Sequence, residues 1–91
     1  MPKRFTWDWG KAEHNRRKHG ITFEEAITVF QDGLSFHVLD ERHLMGESRY
    51  VLIGMSVGGR VLVVIYTDDG SLVRLISARR ATKRERHDHE N

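Results

Sequence analysis

Six basic side chains lie between residues 72 and 87, where a predicted strand ends and a helix begins. They are Arg74, Arg79, Arg80, Lys83, Arg84 and Arg86, and the same stretch contains one acid, Glu85. A guanidinium is planar and permanently charged, so its forked donors suit a phosphate group. Ordinary ion pairs or a solvated helix end would also explain these charges. For Arg79 and Arg80 we favour anion binding, because the N-terminus of the following helix also attracts phosphate.

Cations placed beside groups that move protons are suited to cleaving RNA without a metal. In that reaction the 2′-OH attacks the adjacent phosphorus, a base removes its proton, cations stabilise the transition state and an acid protonates the leaving oxygen. The candidates for proton transfer are His14, His19, His37, His43, Tyr50 and Tyr66. The chain lacks a tight carboxylate cluster for two metals. His87 and His89 are predicted to lie in a solvated tail, so no metal and no cofactor is expected.

The composition is that of one small globular domain covering residues 1–91. The chain has a formal net charge of +2, 38% hydrophobic residues and no cysteine, which excludes a disulfide framework. No apolar run approaches the length of a membrane span, and the first residues lack the apolar core of a signal peptide. A cytoplasmic location without membrane association is therefore the default expectation.

Three helices are predicted from their start signals. The first begins after the N-cap residue Asp8 and ends at Gly20. The second and third begin with capping boxes of the S/T-x-x-E type, in which Thr22 and Thr82 are the caps. Apolar residues recur in the second helix at helical spacing, which indicates a side facing the core. They are Phe23, Ala26, Ile27 and Phe30.

Four strands follow the first two helices, so the predicted order is ααββββα and the predicted class is α+β. The strands cover residues 34–39, 49–56, 60–67 and 71–79. Glycine-containing turns join the last three, which makes them antiparallel neighbours, and the third is apolar on both faces, so it should be central. In the fourth, simple alternation places Arg74 and Arg79 on opposite faces. Of Trp7 and Trp9, one is expected to point outward.

Four segments of the sequence carry a resemblance to a known family. They are residues 5–8 with Lys11, residues 18–26, the group Asp40, His43, Glu47 and Arg49, and residues 76–86. In this order and spacing they resemble BrnT, the ribonuclease toxin of BrnT/BrnA type II toxin–antitoxin systems, over essentially the whole chain. The resemblance implies a RelE-like fold, in which two N-terminal helices and a C-terminal helix pack with a four-stranded antiparallel sheet. It also implies a metal-independent endoribonuclease that inhibits translation and leaves a 2′,3′-cyclic phosphate.

The resemblance further implies roles for particular residues. Arg79 and Arg80 would hold the scissile phosphate, and Lys11 would belong to the same catalytic set. His43, on the long segment after the first strand, is the first choice for proton transfer and His19 the second. Further RNA contacts are expected from Trp7, Arg74, Lys83 and Tyr66. His89 departs from the family, because an aromatic residue, typically Tyr, is expected there.

The partner that the resemblance implies is a ribbon-helix-helix antitoxin of the BrnA type. Operator DNA would then be contacted only through the antitoxin complex. Two other functions remain open, namely a nucleic-acid-binding module without catalysis and a degenerate toxin that acts as an antitoxin-binding co-repressor. Catalysis is favoured because Lys11, His43, Arg79 and Arg80 occur together, whereas binding alone would need only the cations.

Overall fold

A computed structural model describes residues 4–38 and 49–90 of the protein, which form an α+β fold. In chain order the elements are β1 (Arg4–Thr6), α1 (Trp9–His19), α2 (Phe23–Ile27), a 3-10 helix (Thr28–Gln31), β2 (Phe36–Val38), β3 (Arg49–Met55), β4 (Val61–Asp68), β5 (Leu72–Arg80) and α3 (Lys83–Glu90). The predicted helices and strands are all present, although α2 is short and continues as the 3-10 helix. The α+β class is therefore confirmed.

The sheet differs from the predicted one in strand number and direction. Across the two described segments it contains five strands in the order β1-β5-β4-β3-β2, with β4 in the predicted central place. The additional strand, β1, pairs in parallel with β5, so that Arg4 lies opposite Leu72. The predicted four-stranded antiparallel sheet is wrong because a three-residue strand has no recognisable period, and its partner is far along the chain.

A β-bulge interrupts the ladder between β4 and β5. Ser77 and Leu75 pair with successive residues of β4, which leaves Ile76 between them without a partner. The alternation of side chains therefore changes phase at Ile76. As a result Arg74 and Arg79 both lie opposite odd-numbered residues of β4, on the same face of the sheet. The prediction that they occupy opposite faces is wrong for this reason.

The main core lies between the sheet and the first two helices. Phe23 and Ala26 of α2 are fully buried, and Ile27 and Phe30 pack against them, as the apolar stripe predicted. The other side chains of this cluster are Ile21, Val29, Leu52, Leu62, Val64, Tyr66, Val73, Leu75 and Ala78. Each large apolar side chain that is fully buried contributes about 1.5–3 kcal/mol to folding. This core fixes α1 and α2 against one face of the sheet.

The opposite face has a smaller apolar cluster formed by Ile53, Val61, Val63 and Ala81. Helix α3 contacts β3, yet its sequence, KRERHDHE, contains no apolar residue. Polar contacts instead attach both ends of α3. Near its beginning Glu85 binds Arg79, and near its end the Nε2 atom of His89 lies 2.7 Å from Oδ2 of Asp32.

His89 is only 6% exposed, so the prediction of a solvated tail is wrong at this residue. The carboxylate of Asp32 also accepts hydrogen bonds from the backbone N–H groups of Met55 and Leu34, at 2.7 Å and 3.0 Å. These two bonds are the main reason why the pKa of Asp32 lies below its usual value. These bonds hold the charged carboxylate of Asp32 in place, where it binds His89 in the last turn of α3. The sequence of the tail alone does not show this contact, because Asp32 is far away in the chain.

Candidate functional site

A pocket of about 450 Å³ lies between α1 and the bulged part of β5. Its lining residues are Asp8, Gly10, Lys11, His14, Asn15, Lys18, His19, Ile76 and Ser77. The only acid among them, Asp8, caps α1 by accepting a hydrogen bond from the backbone N–H of Lys11 at 3.0 Å. Lysines and histidines therefore dominate the charge, and a concave surface of this kind concentrates a positive field. We call this the α1 pocket.

Asn15 fixes the helix that forms one wall of the α1 pocket. Its amide nitrogen donates to the carbonyl oxygens of Ala78 and Ile21, at 2.8 Å and 3.0 Å, and its amide oxygen accepts from the N–H of Ala78 at 3.0 Å. Strand β1 pairs only with the first part of β5. The buried amide of Asn15 thus takes the place of a neighbouring strand at the edge that β1 leaves open, and holds α1 in register with β5.

The cationic residues of the pocket follow from the geometry of α1. Lys11, His14 and Lys18 are spaced at i, i+3 and i+7, with Asn15 at i+4, so all four share one side of the helix. Asn15 turns inward, whereas Lys11, His14 and Lys18 are exposed. The sequence predicted roles for Lys11 and His19 and offered His14 only as one of six candidates for proton transfer, whereas Lys18 and Asn15 were not predicted. A stripe of polar residues at helical spacing was the signal that would have found them.

His19 has the electrostatic character of a proton acceptor. Burial is the largest cause that lowers its pKa below the usual value, and the charges of Lys18, Arg79 and His14 lower it further. A lowered pKa keeps the imidazole neutral near pH 7, so that it is able to take a proton. Because the charge of Arg79 lowers the pKa of His19, Arg79 influences the α1 pocket although it is not one of the lining residues.

The guanidinium of Arg79 is engaged by a carboxylate. Its Nη1 and Nη2 atoms donate to the two oxygens of Glu85, at 2.9 Å and 3.0 Å, and Nη1 also donates to the carbonyl oxygen of Arg80 at 3.1 Å. The hydrogen bonds from Arg79 are the main reason why the pKa of Glu85 falls to about 2. Arg79 therefore joins the end of β5 to α3 and influences the pocket through its charge.

Arg79 and Arg80 do not face the same space. In the ladder Arg79 lies opposite Val63 and Arg80 opposite Leu62, and consecutive residues of a strand point to opposite faces. Arg80 lines a separate cleft together with Arg60 and Arg86. The expectation that the two arginines hold one phosphate together is therefore not supported by their positions.

The aromatic residues predicted to contact RNA are largely packed. The ring of Trp7 is half-buried and lies 5.9 Å from the ring of Phe23, whereas Trp9 is 75% exposed. One tryptophan thus points outward, as predicted, but it is Trp9 and not Trp7. Tyr66 is 5% exposed and its hydroxyl lies 2.6 Å from Nε2 of His37. A buried ring offers no face for a base, so the structure does not favour the RNA contact predicted for Tyr66.

The other predicted residues are less constrained by neighbours. Arg74 and Lys83 are both exposed, and Lys83 is the first residue of α3. His43, the first choice for proton transfer, lies outside the described residues, as do Asp40 and Glu47. Within residues 4–38 and 49–90, no group of three or more His, Cys, Asp or Glu side chains is arranged to hold a metal ion.

The fold and the pocket together define a small α+β protein with a concave cationic site, which contains a histidine of lowered pKa. A family model described as "Ribonuclease toxin, BrnT, of type II toxin-antitoxin system" matches residues 7–85. The chain therefore belongs to the BrnT family of ribonuclease toxins. Membership in a type II toxin–antitoxin system implies an antitoxin as partner and RNA as substrate.

A solved structure supports the fold. The crystal structure of the Brucella abortus ribonuclease toxin, BrnT, is similar with a TM-score of 0.70 and 24% sequence identity, covering 90% of this chain and 100% of that chain. A search of curated proteins finds no match. In the segments that the structure describes, no helix has both the length and the apolar character needed to cross a membrane.

Proposed function

We propose that this chain is a metal-independent endoribonuclease whose reaction takes place in the α1 pocket. The observation that carries this proposal is the position of Lys11, Lys18, His14 and His19 around one pocket in which Asp8 is the only acid. Ammonium groups stabilise the charge that develops on a phosphate during attack. Histidines supply the proton transfers that the attack and the departure require.

In the proposed reaction the RNA supplies its own nucleophile. Neutral His19 takes the proton of the 2′-OH while the 2′-oxygen forms a bond to the adjacent phosphorus. The bond from phosphorus to the 5′-oxygen of the next nucleotide breaks, and His14 gives a proton to that oxygen. Lys11 and Lys18 bind the non-bridging oxygens throughout. The products are a 2′,3′-cyclic phosphate and a 5′-hydroxyl, and no oxidant, water or metal is consumed.

Arg79 assists this reaction from the edge of the pocket. Its charge lowers the pKa of His19, and this favours the neutral base. Glu85 and the carbonyl oxygen of Arg80 accept three hydrogen bonds from Arg79, so a phosphate would be contacted by the remaining N–H donors or after exchange of partners. His43 keeps its proposed role as a proton-transfer residue on the strength of the family resemblance, and in that case it would replace His14 as the acid.

The antitoxin is proposed to be a ribbon-helix-helix protein of the BrnA type, which represses the shared operon when bound to this chain. The support for this is the resemblance to the family. A short reading frame with a ribbon-helix-helix pattern is expected immediately beside the gene. If several related loci lack such a reading frame, this partner assignment fails while the ribonuclease proposal stands.

The decisive experiment incubates the purified protein with an end-labelled transcript in the presence of EDTA. We expect cleavage that leaves a 2′,3′-cyclic phosphate, together with a large loss of cleavage in the Lys11→Ala and His19→Ala variants. Arg17→Ala is the matched control, because Arg17 lies on the same helix but is exposed and paired with Glu13. Binding without cleavage would favour the non-catalytic module, and full activity of both pocket variants would exclude the α1 pocket.

A test in cells separates the role of Arg79 from the pocket residues. Expression of the protein alone is expected to arrest growth, and Arg79→Ala is expected to relieve the arrest. A folded Arg79→Ala variant with undiminished toxicity would show that neither the charge nor the donors of Arg79 are needed.

A further inference from the structure

A second cationic cleft, of about 300 Å³, lies near the end of β5. Its charged lining residues are Arg60, Arg80, Arg86 and Glu90, and Met55 and Val61 contribute apolar surface. We call it the arginine cleft. It lies between the turn that joins β3 to β4, the end of β5 and α3, and none of its residues lines the α1 pocket.

The arginine cleft has a surplus of positive charge. Arg60 is neutralised, because it binds the carboxylate of Glu25 through Nε at 3.0 Å and through a second nitrogen. Arg80 and Arg86 are both exposed, and no carboxylate of the described residues forms an ion pair with either of them. Glu90, one turn after Arg86 on α3, also lines the cleft, and the charge of Arg80 acts on Glu25. The three arginines, set against Glu25 and Glu90, leave one positive charge to recognise an anion.

The position of the cleft relates it to the proposed cleavage site. Arg79 and Arg80 are consecutive, and they point to opposite faces of the sheet. Arg79 acts on the α1 pocket through His19, whereas Arg80 belongs to the arginine cleft. Ser77 lines the α1 pocket and Arg80 lines the arginine cleft, and the two residues are three positions apart on β5, which is about 10 Å along the strand.

We propose that the arginine cleft is a second phosphate-binding site, which takes a neighbouring phosphate of the same RNA strand whose scissile phosphate lies in the α1 pocket. This inference rests on the proposed function. To reach both sites the nucleic acid must follow about 10 Å of β5 and enter two separate depressions of the surface. A duplex resists bending on this scale, so the substrate class is single-stranded RNA long enough to span the two sites.

The test compares cleavage of single-stranded oligonucleotides of about 4 to 16 nucleotides. We expect kcat/KM of the unaltered protein to rise steeply with the length of the RNA. The ratio of kcat/KM for long RNA to kcat/KM for short RNA should fall about tenfold in Arg86→Glu and by a smaller factor in Arg86→Gln. The dependence of log Kd on log salt concentration should become shallower by about 0.7, because one phosphate fewer is neutralised. Arg17→Glu is the control, since it makes the same charge change outside both sites and should keep the length dependence.

The outcomes separate this inference from the proposed function. If the unaltered protein binds RNA without cutting it, the proposed function fails. The second site is then tested by measuring how Kd, in place of kcat/KM, depends on the length of the RNA. An unchanged length dependence in a folded Arg86→Glu variant would overturn the second site. So would a variant that keeps its length dependence but no longer binds the antitoxin, because the cleft would then be a protein-binding surface. Circular dichroism of Arg86→Glu and Arg86→Gln excludes misfolding as the cause of any loss.

Discussion

Replacement of Glu85 by glutamine tests how strongly α3 is attached to the sheet. The substitution keeps the shape of the side chain but removes its charge. Glu85 receives two hydrogen bonds from Arg79, at 2.9 Å and 3.0 Å, and a third from the backbone N–H of Thr82 at 2.7 Å. Glu85 thus binds both β5 and Thr82, the residue that precedes α3. We expect Glu85→Gln to weaken the junction of these two elements.

The size of the effect follows from the pKa of Glu85. The carboxyl group of glutamate normally titrates at 4.5, and the interactions with Arg79 and Thr82 lower the pKa of Glu85 to about 2. At about 1.4 kcal/mol for each pH unit, this difference sets an upper limit of about 3 kcal/mol. The side chains of Arg79 and Glu85 are 38% and 25% exposed, so solvent screening reduces the expected value to about 1–2 kcal/mol.

The effect must depend on pH in a defined direction. Because the folded protein has the lower pKa, the stabilisation is complete above the unfolded value of 4.5 and is lost as the pH falls toward 2. Urea denaturation at pH 7 should therefore show Glu85→Gln to be about 1–2 kcal/mol less stable, or about 4–8 °C lower in Tm for each kcal/mol. At about pH 3 the difference should be clearly smaller.

A matched substitution separates the ion pair from general effects of charge. Glu24 is exposed in the first turn of α2, so Glu24→Gln is expected to change stability by less than about 0.5 kcal/mol at either pH. Equal destabilisation of Glu85→Gln at pH 7 and at pH 3 would refute the reasoning, because a loss that does not titrate does not come from the charge of Glu85. A change comparable to that of Glu24→Gln would refute it as well.

Three further predictions concern the edge of β5, the close packing of β3 and the α1 pocket. Asn15→Leu removes three buried hydrogen bonds, leaves backbone groups of β5 unpaired and should lower the free energy of unfolding by about 3 kcal/mol or more in urea titrations. Gly54→Ala should cost about 1–3 kcal/mol in thermal denaturation, because its Cβ would lie 2.7 Å from Cβ of Ser35, whereas Gly33→Ala meets open space and serves as the control. Inorganic phosphate should raise the pKa of His19 in an NMR titration, since an anion in the pocket favours the charged imidazole. An unchanged His19 pKa at saturating phosphate would show that the pocket does not bind this anion.

The sequence predicted the helix boundaries well, because their signals are local. Asp8 caps α1 and Gly20 ends it with a φ of 72°. At the start of α3, Thr82 and Glu85 form the predicted reciprocal capping box. Only half of the other box forms. The hydroxyl of Thr22 accepts a hydrogen bond from the backbone N–H of Glu25. The carboxylate of Glu25 binds Arg60 and not the backbone of Thr22. A local rule fails there because a distant cation competes for the same carboxylate.

The candidate site was predicted in part. Of the residues predicted for the site, Lys11 and His19 line the α1 pocket. Arg79 was selected from its type and place in the sequence, but no sequence pattern showed that Glu85 would bind it or that Arg80 would face the other side. The chain alone does not specify which of several acids pairs with a given cation, since the choice depends on how β5 and α3 meet.

By itself, the sequence determined the α+β class, the caps, the core-facing stripe of α2 and the motifs that identify the BrnT family. Each of these depends on residues within a few positions of one another, whose geometry the backbone fixes. The tertiary structure alone decided the parallel pairing of β1 with β5, the bulge at Ile76, the burial of His89 against Asp32 and the contact of Asn15 with the open edge of β5. These features depend on segments far apart in the chain, and a polar side chain finds its partner only once packing has brought the two elements together.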